Sequence, residues 1–159
     1  MQYWIDGYNL LFKMPQFKGS LEERRRQLIL KLNHFAKEHN LCFTLVFDAS
    51  KDKDRPCFRS HYDEIEIIYA TAAPTADEYI ISHVEEVQRR SSICVVSSDK
   101  GLISQIRMLG AQVLSLQEFL KFLEKKHRKR QSVSFQANES PREIERLRKI
   151  FDERLYKNQ

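Results

Sequence analysis

Two short segments that are apolar on both faces constrain the fold more than any other feature of the sequence. Phe43-Thr-Leu-Val-Phe47 and Ile93-Cys-Val-Val96 contain few polar side chains, which is typical of central strands in a parallel sheet covered by helices. Parallel neighbours are joined by right-handed crossovers, so their carboxyl ends lie at one edge of the sheet. The sequence therefore predicts an α/β fold whose functional residues lie at that edge.

Clear helix starts separate the predicted strands. In the pattern Ser/Thr-x-x-Glu, a hydroxyl accepts a hydrogen bond from a backbone N–H of the first turn, and the glutamate accepts one from the capping residue. The pattern occurs at Ser20, Thr75, Ser115 and Ser140. The strands predicted to alternate with these helices are Tyr3–Ile5, Leu41–Phe47, Ile65–Tyr69, Ile93–Val96 and Gln112–Leu114.

The composition is that of a single-domain globular protein. Of the 159 residues, 42% are hydrophobic and 31% are charged, which argues against disorder of the whole chain. The sequence shows no signal-peptide pattern and no apolar run of membrane-spanning length. The three cysteines, Cys42, Cys57 and Cys94, lack the spacing of a zinc site or a redox pair. We therefore expect a soluble, cytoplasmic protein that is not associated with a membrane.

The net charge of +5 is concentrated near the C-terminus. Residues 121–159 carry 12 Lys and Arg against 6 Asp and Glu, and the rest of the chain carries 15 against 16. This predicts a body at 1–120 and a basic helical extension at 121–159. A basic extension suggests a polyanionic partner, although a charge run taken alone is more often a solvated helix face.

Three weaker expectations concern segments between or beyond these elements. The polar stretch 50–61, which contains Pro56, is predicted to be a mobile loop. Residues 131–138 are predicted to be a polar stretch after the helix that begins near Leu116. Residues 141–156 have an apolar stripe and are predicted to form a helix, which packs on its own sheet in preference to a partner.

Acidic residues gather at the predicted functional edge. Asp6, Asp48 and Asp99 each follow a strand, and Asp77 and Glu78 lie in the first turn of the helix that starts at Thr75. Each acid alone has a structural explanation as a turn, cap or first-turn residue. Together they would repel one another unless a cation neutralised them, and oxygen ligands suit Mg²⁺ or Mn²⁺. The arrangement predicts a joint acidic metal site.

Four motifs lie at these strand ends and helix starts. They are Ile5-Asp6-Gly7-Tyr8-Asn9-Leu10-Leu11, Val46-Phe47-Asp48-Ala49, Thr75-Ala76-Asp77-Glu78-Tyr79-Ile80 and Ser97-Ser98-Asp99-Lys100-Gly101-Leu102. In order and spacing they resemble the NYN-domain nucleases of the PIN-like superfamily, most closely the YacP-like branch. The resemblance covers about residues 1–120. It implies a three-layer PIN-like/NYN sandwich with a central, mainly parallel sheet of about five strands and a C-terminal helical extension.

The resemblance also implies an activity: endonucleolytic cleavage of single-stranded RNA with Mg²⁺ or Mn²⁺, linked in YacP-like members to mRNA turnover and the ribosome. Asp6, Asp77 and Asp99 match the metal-binding acids, where a cation would activate water. Asn9 matches the Asn of the DGYN motif; its amide orients Asp6 or contacts phosphate, or it holds a turn after Gly7. Ser97 matches a small hydroxyl position that hydrogen-bonds a ligand or phosphate.

Two further acids have supporting roles under this resemblance. Asp48 and Glu78 are candidates for outer ligands or for positioning water. Asp48 stands where the wider PIN pattern has a glutamate on a helix. Whether one or two metals bind therefore stays open.

RNA-binding candidates fall in two places, since single strands are held by basic grooves with aromatic surfaces. Near the acids they are Arg55, Phe58, Arg59, Lys100, Tyr8 and Phe12. The aromatic residues are equally well explained as a loop anchor, for Phe58, or as a half-buried side chain, for Tyr8. The second place is a basic run that partly complements a helix dipole, Lys125, Lys126, Arg128, Lys129 and Arg130.

Two alternatives to a nuclease remain. The chain would otherwise be a non-catalytic RNA- or ribosome-binding module on a PIN-like fold, which the intact acids disfavour. A receiver-like or phosphatase-like enzyme would need a phospho-accepting aspartate in a motif that the sequence does not show. The nucleotide-binding motifs GxxxxGK[ST] and GxGxxG are also absent from the sequence.

Overall fold

The computed structural model describes residues 1–48, 59–70 and 75–138, with the backbone alone for 132–138. The predicted α/β architecture is confirmed: helices flank a central sheet that is mostly parallel. The chain divides into two compact units after Lys121, and the sheet belongs to the first unit. The division into domains at 1–120 and 121–159 stays a prediction about how the chain functions.

The sheet contains six strands: β1 (Gln2–Asp6), β2 (Cys42–Asp48), β3 (Arg59–Tyr62), β4 (Ile65–Ala70), β5 (Ile93–Val96) and β6 (Gln112–Leu114). The helices are α1 (Gly7–Phe12), α2 (Leu21–His39), α3 (Ala76–Glu86), α4 (Lys100–Met108) and α5 (Leu116–Asn138). The strand order is β3-β4-β2-β1-β5-β6. Successive strands are added on both sides of β1, so the topological switch point lies beside β1. None of the helices in the described ranges is long and apolar enough to cross a bilayer.

Two expectations drawn from the sequence are wrong. Residues 59–61, the end of the predicted loop 50–61, belong to β3, which gives the sheet a sixth strand. This strand pairs antiparallel with β4. Residues 131–138, expected to be a polar stretch, continue α5 to Asn138, because no glycine or proline interrupts the helix. The predicted helix at 141–156 and residues 49–58 lie outside the described residues.

The turn between β3 and β4 is held by side chains from α2. Asn33 accepts a hydrogen bond from the Glu64 N–H (3.0 Å) and donates one to Asp63 Oδ2 (3.2 Å). Lys37 forms an ion pair with the same carboxylate. Asp63 adopts a φ of 57°, in the left-handed region. The residues of α2 that stabilise this hairpin therefore lie about thirty positions earlier in the sequence. Local sequence patterns do not predict such contacts.

Inside the described ranges, the three predicted helix starts are confirmed, two of them with complete capping boxes. Ser20 and Glu23 form both hydrogen bonds of a capping box, as do Ser115 and Glu118. Thr75 Oγ1 accepts a hydrogen bond from the Glu78 N–H (3.2 Å), which starts α3. The cap at Ser140 lies outside the described residues. Because each cap fixes the first turn that follows it, the Thr75 cap fixes the position of Asp77.

The side chains of the sheet alternate between two packed faces. Trp4 on β1 and Val46 on β2 belong to the core cluster that contains Ile80 and Val84 of α3. Because the side-chain period of a strand is two, the residues two positions after Trp4 and Val46 lie on the same face. Those residues are Asp6 and Asp48. Both acids therefore leave the sheet on the side covered by α3.

Candidate active site

A cleft of about 290 Å³ opens at the carboxyl edge of the sheet, beside the start of α3. Three of its described lining residues are acids, Asp6, Asp48 and Asp77. None of the described lining residues is a lysine or arginine; the others are Tyr8, Asn9, Phe12, Thr75 and Ala76. Asp6 and Asp48 end adjacent parallel strands. The described lining residues therefore carry an excess of carboxylates.

Asp6 is both the last residue of β1 and the N-cap of α1. Its Oδ1 accepts a hydrogen bond from the Asn9 backbone N–H (3.1 Å). A Cβ on Gly7 would lie 2.4 Å from Cε1 of Phe47, so only glycine lets α1 start this close to β2. The expected turn after Gly7 is thus the first turn of a helix, and Asn9 is tied to Asp6 through its backbone. This geometry fixes the Asp6 carboxylate at the cleft.

Asp99 is held in a similar way at the start of α4. Its Oδ1 accepts a hydrogen bond from the Leu102 N–H (2.8 Å), and its own N–H donates to Ser97 Oγ (3.0 Å). Ser97 is completely buried, and its N–H donates to the Leu114 carbonyl on β6 (3.2 Å). Asp99 itself is exposed and is not among the described residues that line the cleft. Ser97 therefore acts on this edge through the backbone of Asp99.

Asp77 lies where the charges of the other acids meet. Burial is the largest cause that raises the pKa of its carboxyl to about 6, followed by the negative charges of Asp6, Asp99, Asp48 and Glu78. A carboxylate in the first turn of a helix ordinarily gains stability from the helix dipole, so a raised pKa means that like charges and burial outweigh it. The other four acids predicted from the sequence thus all act on Asp77 in the folded chain.

The donor set fits a hard divalent cation. Every candidate ligand is a carboxylate oxygen, and a bound cation would relieve the repulsion that raises the pKa of Asp77. Within the described ranges, no three acids at this edge have oxygens all within 4.8 Å of one another. Mg²⁺ is commonly held through one or two protein carboxylates with water completing the coordination shell.

The aromatic candidates separate into one buried and one exposed residue. Tyr8 is 4% exposed, and its hydroxyl accepts a hydrogen bond from Arg25 Nη1 (2.9 Å). Phe12 is 50% exposed at the end of α1 and lines the cleft. Tyr8 therefore supports the site from the core, and Phe12 is half-exposed beside the cleft. Phe58 lies outside the described residues.

The basic candidates are spread over the two units. Arg59 Nε forms an ion pair with Glu66 Oε1 (2.9 Å), and Lys100 is exposed next to Asp99. Arg55 lies outside the described residues. The run on α5 belongs to the second unit; Lys126 is partly exposed, and the others, Lys125, Arg128, Lys129 and Arg130, are exposed.

Two arginines of α2 that the sequence analysis missed contact the aromatic residues of the site. The guanidinium of Arg24 lies 5.7 Å from the Phe12 ring centroid. Arg25 is 4% exposed and lies over the rings of Phe47 and Tyr69. In the sequence the run at 24–26 reads as a solvated basic face. The helical period could have shown that Arg25 is buried, because Arg25 lies on the same buried face of α2 as Leu28, Leu32 and Ala36.

The structure thus combines a mainly parallel sheet with an acidic cleft at the switch point of that sheet. The family model described as the YacP-like NYN domain matches residues 3–158, and the chain belongs to this family. This confirms the resemblance seen in the four motifs. This family is a PIN-like nuclease family with an RNA-related role. PIN-like nucleases generally use divalent metals.

Two crystal structures of Rae1 (YacP) from Bacillus subtilis are similar to this chain. A single-residue mutant is 28% identical, with a TM-score of 0.65 over 89% of this chain and 86% of that chain. A second structure is 22% identical, with a TM-score of 0.63 over 99% of this chain and 91% of that chain, and supports the fold alone. No curated protein matches the chain.

Proposed function

We propose that the protein is a divalent-cation-dependent endoribonuclease that hydrolyses phosphodiester bonds of single-stranded RNA. Asp6, Asp77 and Asp99 are the proposed cation ligands. The observation that carries the proposal is the convergence of acids from β1, β2, α3 and the start of α4 in a chain of a nuclease family. Such convergence is unfavourable without a cation, so a purely structural role explains it poorly.

The proposed role of each residue follows from its position in the site. Asp6 and Asp99 each serve as a helix cap through Oδ1, which fixes how the carboxylate faces the edge. A cation bound there would supply charge neutralisation at the phosphate and an activated water. Asp48 and Glu78 add negative potential that favours cation binding and positions water. Asn9 lines the cleft beside Asp6 and contacts the phosphate through its side-chain amide.

The proposed substrate is mRNA, cleaved in the cytoplasm, and the proposed context of cleavage is the ribosome. The family supports an RNA substrate. The exposed basic residues of α5, together with Lys100, support contact with an RNA backbone or ribosomal surface. The basic groups of α5 lie away from the acids in sequence, so they would add affinity for RNA without competing with the cation.

The test is cleavage of a labelled single-stranded RNA with Mg²⁺, with Mn²⁺ and with a chelator. The proposal predicts internal cleavage only with a cation. It also predicts 5′-phosphate and 3′-hydroxyl ends, because attack by water on phosphorus expels the 3′ oxygen. Cleavage that persists in chelator and leaves 2′,3′-cyclic phosphates would contradict the proposal, since the RNA's own 2′-hydroxyl would then be the nucleophile.

The basic run on α5 favours a second candidate, a module that binds RNA or the ribosome without cleaving it. The two candidates differ in their dependence on the acids. A binding module would retain its affinity for RNA and ribosomes in Asp77→Asn and cleave nothing under any condition. If the wild type is silent on free RNA but cleaves mRNA on translating ribosomes, the nuclease proposal holds and the ribosome is part of the active context.

A further inference from the structure

A groove of about 500 Å³ lies between α2 and the edge strand β3, on the face of the sheet opposite to α3. Its walls come from different elements: Arg26 and Leu30 lie on α2, and Ser60 and Tyr62 lie on β3. Leu30 is 45% exposed and Tyr62 is 44% exposed, so two of the five exposed large hydrophobic side chains in the described part of the chain line this groove. Exposed apolar side chains that gather in a depression are typical of a binding surface.

The Tyr62 ring is accessible to a ligand. Among the described residues, no ring stacks on Tyr62 and no guanidinium lies over it. Its backbone is held in place, because β3 pairs with β4 at Ile65 and the turn that follows is fixed by Asn33 and Lys37. A ring on a strand held in this way costs less conformational entropy on binding than a ring on a loose loop.

The groove and the acidic cleft differ in charge. Two arginines, Arg25 and Arg26, and one acid, Glu22, occur among the described residues that line the groove, whereas the described lining of the cleft contains three acids. Arg25 is buried, but Arg26 is exposed and lies four residues before Leu30 on α2, about 6 Å along the helix axis. A phosphate can therefore pair with Arg26 while the base next to it reaches Leu30.

Arg25 connects the groove with the cleft. It lines the groove, and its Nη1 donates a hydrogen bond to the hydroxyl of Tyr8, which lines the cleft (2.9 Å). The Arg25 guanidinium also lies over the ring of Tyr69, another residue that lines the groove. The groove and the cleft thus share a wall, and a strand that leaves the cleft past Tyr8 reaches the groove.

The register of the sheet gives the distance between Tyr62 and the cleft. Tyr62 pairs with Ile65, which lies five positions before Ala70, and Ala70 pairs with Asp48 at the cleft. Five residues of a strand span about 16 Å. Because this distance exceeds the length of one extended nucleotide, a nucleotide beside Tyr62 lies farther along the strand than the nucleotide at the acids.

The size and chemistry of the groove favour a nucleotide over a protein segment. Its volume falls in the range of small-ligand sites, about 300–1,000 Å³, whereas a stable protein interface buries about 800 Å² on each partner. A guanidinium, the hydroxyl of Ser60, an aromatic ring and an aliphatic wall are groups that hold an unpaired nucleotide.

We infer that the groove binds one unpaired nucleotide of the RNA, with its base between Tyr62 and Leu30 and an adjacent phosphate on Arg26. The inference rests on the proposed function and extends it, because it gives the strand that is cleaved at the acids a second contact. A base enters between two side chains only when it is unpaired, so the groove also selects single strands.

The first experiment measures binding without cleavage. The affinity of the full chain for a fluorescein-labelled single-stranded RNA is determined by anisotropy in chelator at several salt concentrations. Tyr62→Leu weakens binding about fivefold to a hundredfold, whereas Tyr62→Phe keeps the ring and the wild-type affinity. Arg26→Gln also weakens binding, and it lowers the slope of log K against log salt by about 0.7, the value for one phosphate contact on a single strand.

Two variants outside the described lining of the groove are the controls. Met108→Ala removes an apolar side chain that is 85% exposed on α4 and keeps the wild-type affinity. Arg89→Gln removes an exposed positive charge before β5 and leaves the salt slope unchanged. Melting temperatures establish that each variant is folded.

The second experiment locates the nucleotide along the RNA. Cleavage with Mn²⁺ is measured on RNAs that carry one abasic residue at each position on either side of the cleavage site. One position, separated from the cleavage site, raises the KM of the wild type without changing kcat, because the contact is the same in the ground state and the transition state. Tyr62→Leu raises KM on intact RNA and removes the sensitivity at that position.

The outcomes separate this inference from the proposed function. If the wild type cleaves RNA and Tyr62→Leu has the same affinity and the same abasic profile, the groove does not bind RNA and the nuclease function stands; a groove that docks a protein would give this result. If AMP binds in a Tyr62-dependent manner while RNA binding does not depend on Tyr62, the groove holds a free nucleotide and the inference is wrong. If RNA binding depends on Tyr62 but no RNA is cleaved, free or on ribosomes, the groove is supported and the nuclease proposal fails. If the wild type neither binds nor cleaves RNA, both are overturned.

Discussion

Asp77 and Asp6 line the same cleft, and the pKa of the Asp77 carboxyl is raised to about 6 by burial first and by the charge of Asp6 next. The two residues come from different layers of the fold, since Asp6 ends the central strand and Asp77 lies in the first turn of the helix that covers it. Such a pair reduces the stability of the cation-free protein. The proposed function accounts for this pair, because the same repulsion would favour cation binding.

The raised pKa of Asp77 predicts a pH-dependent gain in stability for Asp77→Asn. Between the ordinary value of 3.8 and about 6, the folded chain binds more protons than the unfolded chain. The stability of the wild type without cation therefore falls as the pH rises through that window. In chelator, Asp77→Asn raises the melting temperature above about pH 6, and the gain vanishes as the pH falls below the ordinary value of 3.8, where the carboxyl is protonated in both states. Glu85→Gln, an exposed change at the far end of α3, is the matched control; a gain for Asp77→Asn that is equal at every pH would contradict the assignment.

Cation binding is predicted to stabilise the wild type and to require the acids. Mg²⁺ or Mn²⁺ added near neutral pH raises the melting temperature, because a ligand that binds only the folded state stabilises it by mass action. Asp6→Asn and Asp99→Asn weaken the cation affinity, measured by calorimetry, at least about tenfold. Glu85→Gln keeps the full response. Equal cation-dependent shifts in all four proteins would place the cation elsewhere.

Ser97 is predicted to tune the site from a buried position. Ser97→Ala removes the acceptor of the Asp99 N–H, which costs about 1 kcal/mol of stability, and weakens cation binding about tenfold by loosening Asp99. Ser92 provides the control, since its hydroxyl also makes one hydrogen bond to backbone, the Arg89 carbonyl (2.7 Å), before β5. Ser92→Ala loses stability without losing cation affinity. If both variants bind the cation like the wild type, Ser97 is only structural.

Gly7 is predicted to be required by the close approach of α1 to Phe47. Gly7→Ala places a Cβ 2.4 Å from the Phe47 ring, and such overpacking costs about 1–3 kcal/mol in the free energy of unfolding. Phe47→Leu makes room, so the double variant is less destabilised than the sum of the two single changes. Strict additivity in denaturant unfolding would show that the ring and the glycine do not press on each other.

The parts of the fold that depend on local sequence were predictable. Parallel strands, capped helices and the acids at their junctions follow from apolar runs and from Ser/Thr-x-x-Glu patterns, which act over a few residues. The strand β3 was not predictable, because Asn33 and Lys37 of α2 hold its turn from about thirty positions away. The end of α5 was missed because polar residues were taken as coil where no helix breaker occurs.

The same distinction applies to the site. The order of acids along the chain predicts their convergence, since strand ends of a parallel sheet share an edge. The different exposure of Tyr8 and Phe12 was not available from sequence, because it depends on Arg24 and Arg25 of a helix that packs on α1. Whether these residues act on RNA stays a prediction.

The central claim is tested most directly by the Mn²⁺-dependent cleavage rate of single-stranded RNA in Asp6→Asn, Asp77→Asn and Asp99→Asn. Circular dichroism first establishes that each variant is folded, and Glu85→Gln serves as the acidic control away from the cleft. A site formed jointly by the three acids predicts a loss of at least about a hundredfold for each variant and wild-type cleavage for the control. Rates within about twofold of the wild type in all three variants would contradict the account. A cation that is held by these three carboxylates would not support catalysis at the wild-type rate after one of its ligands is removed.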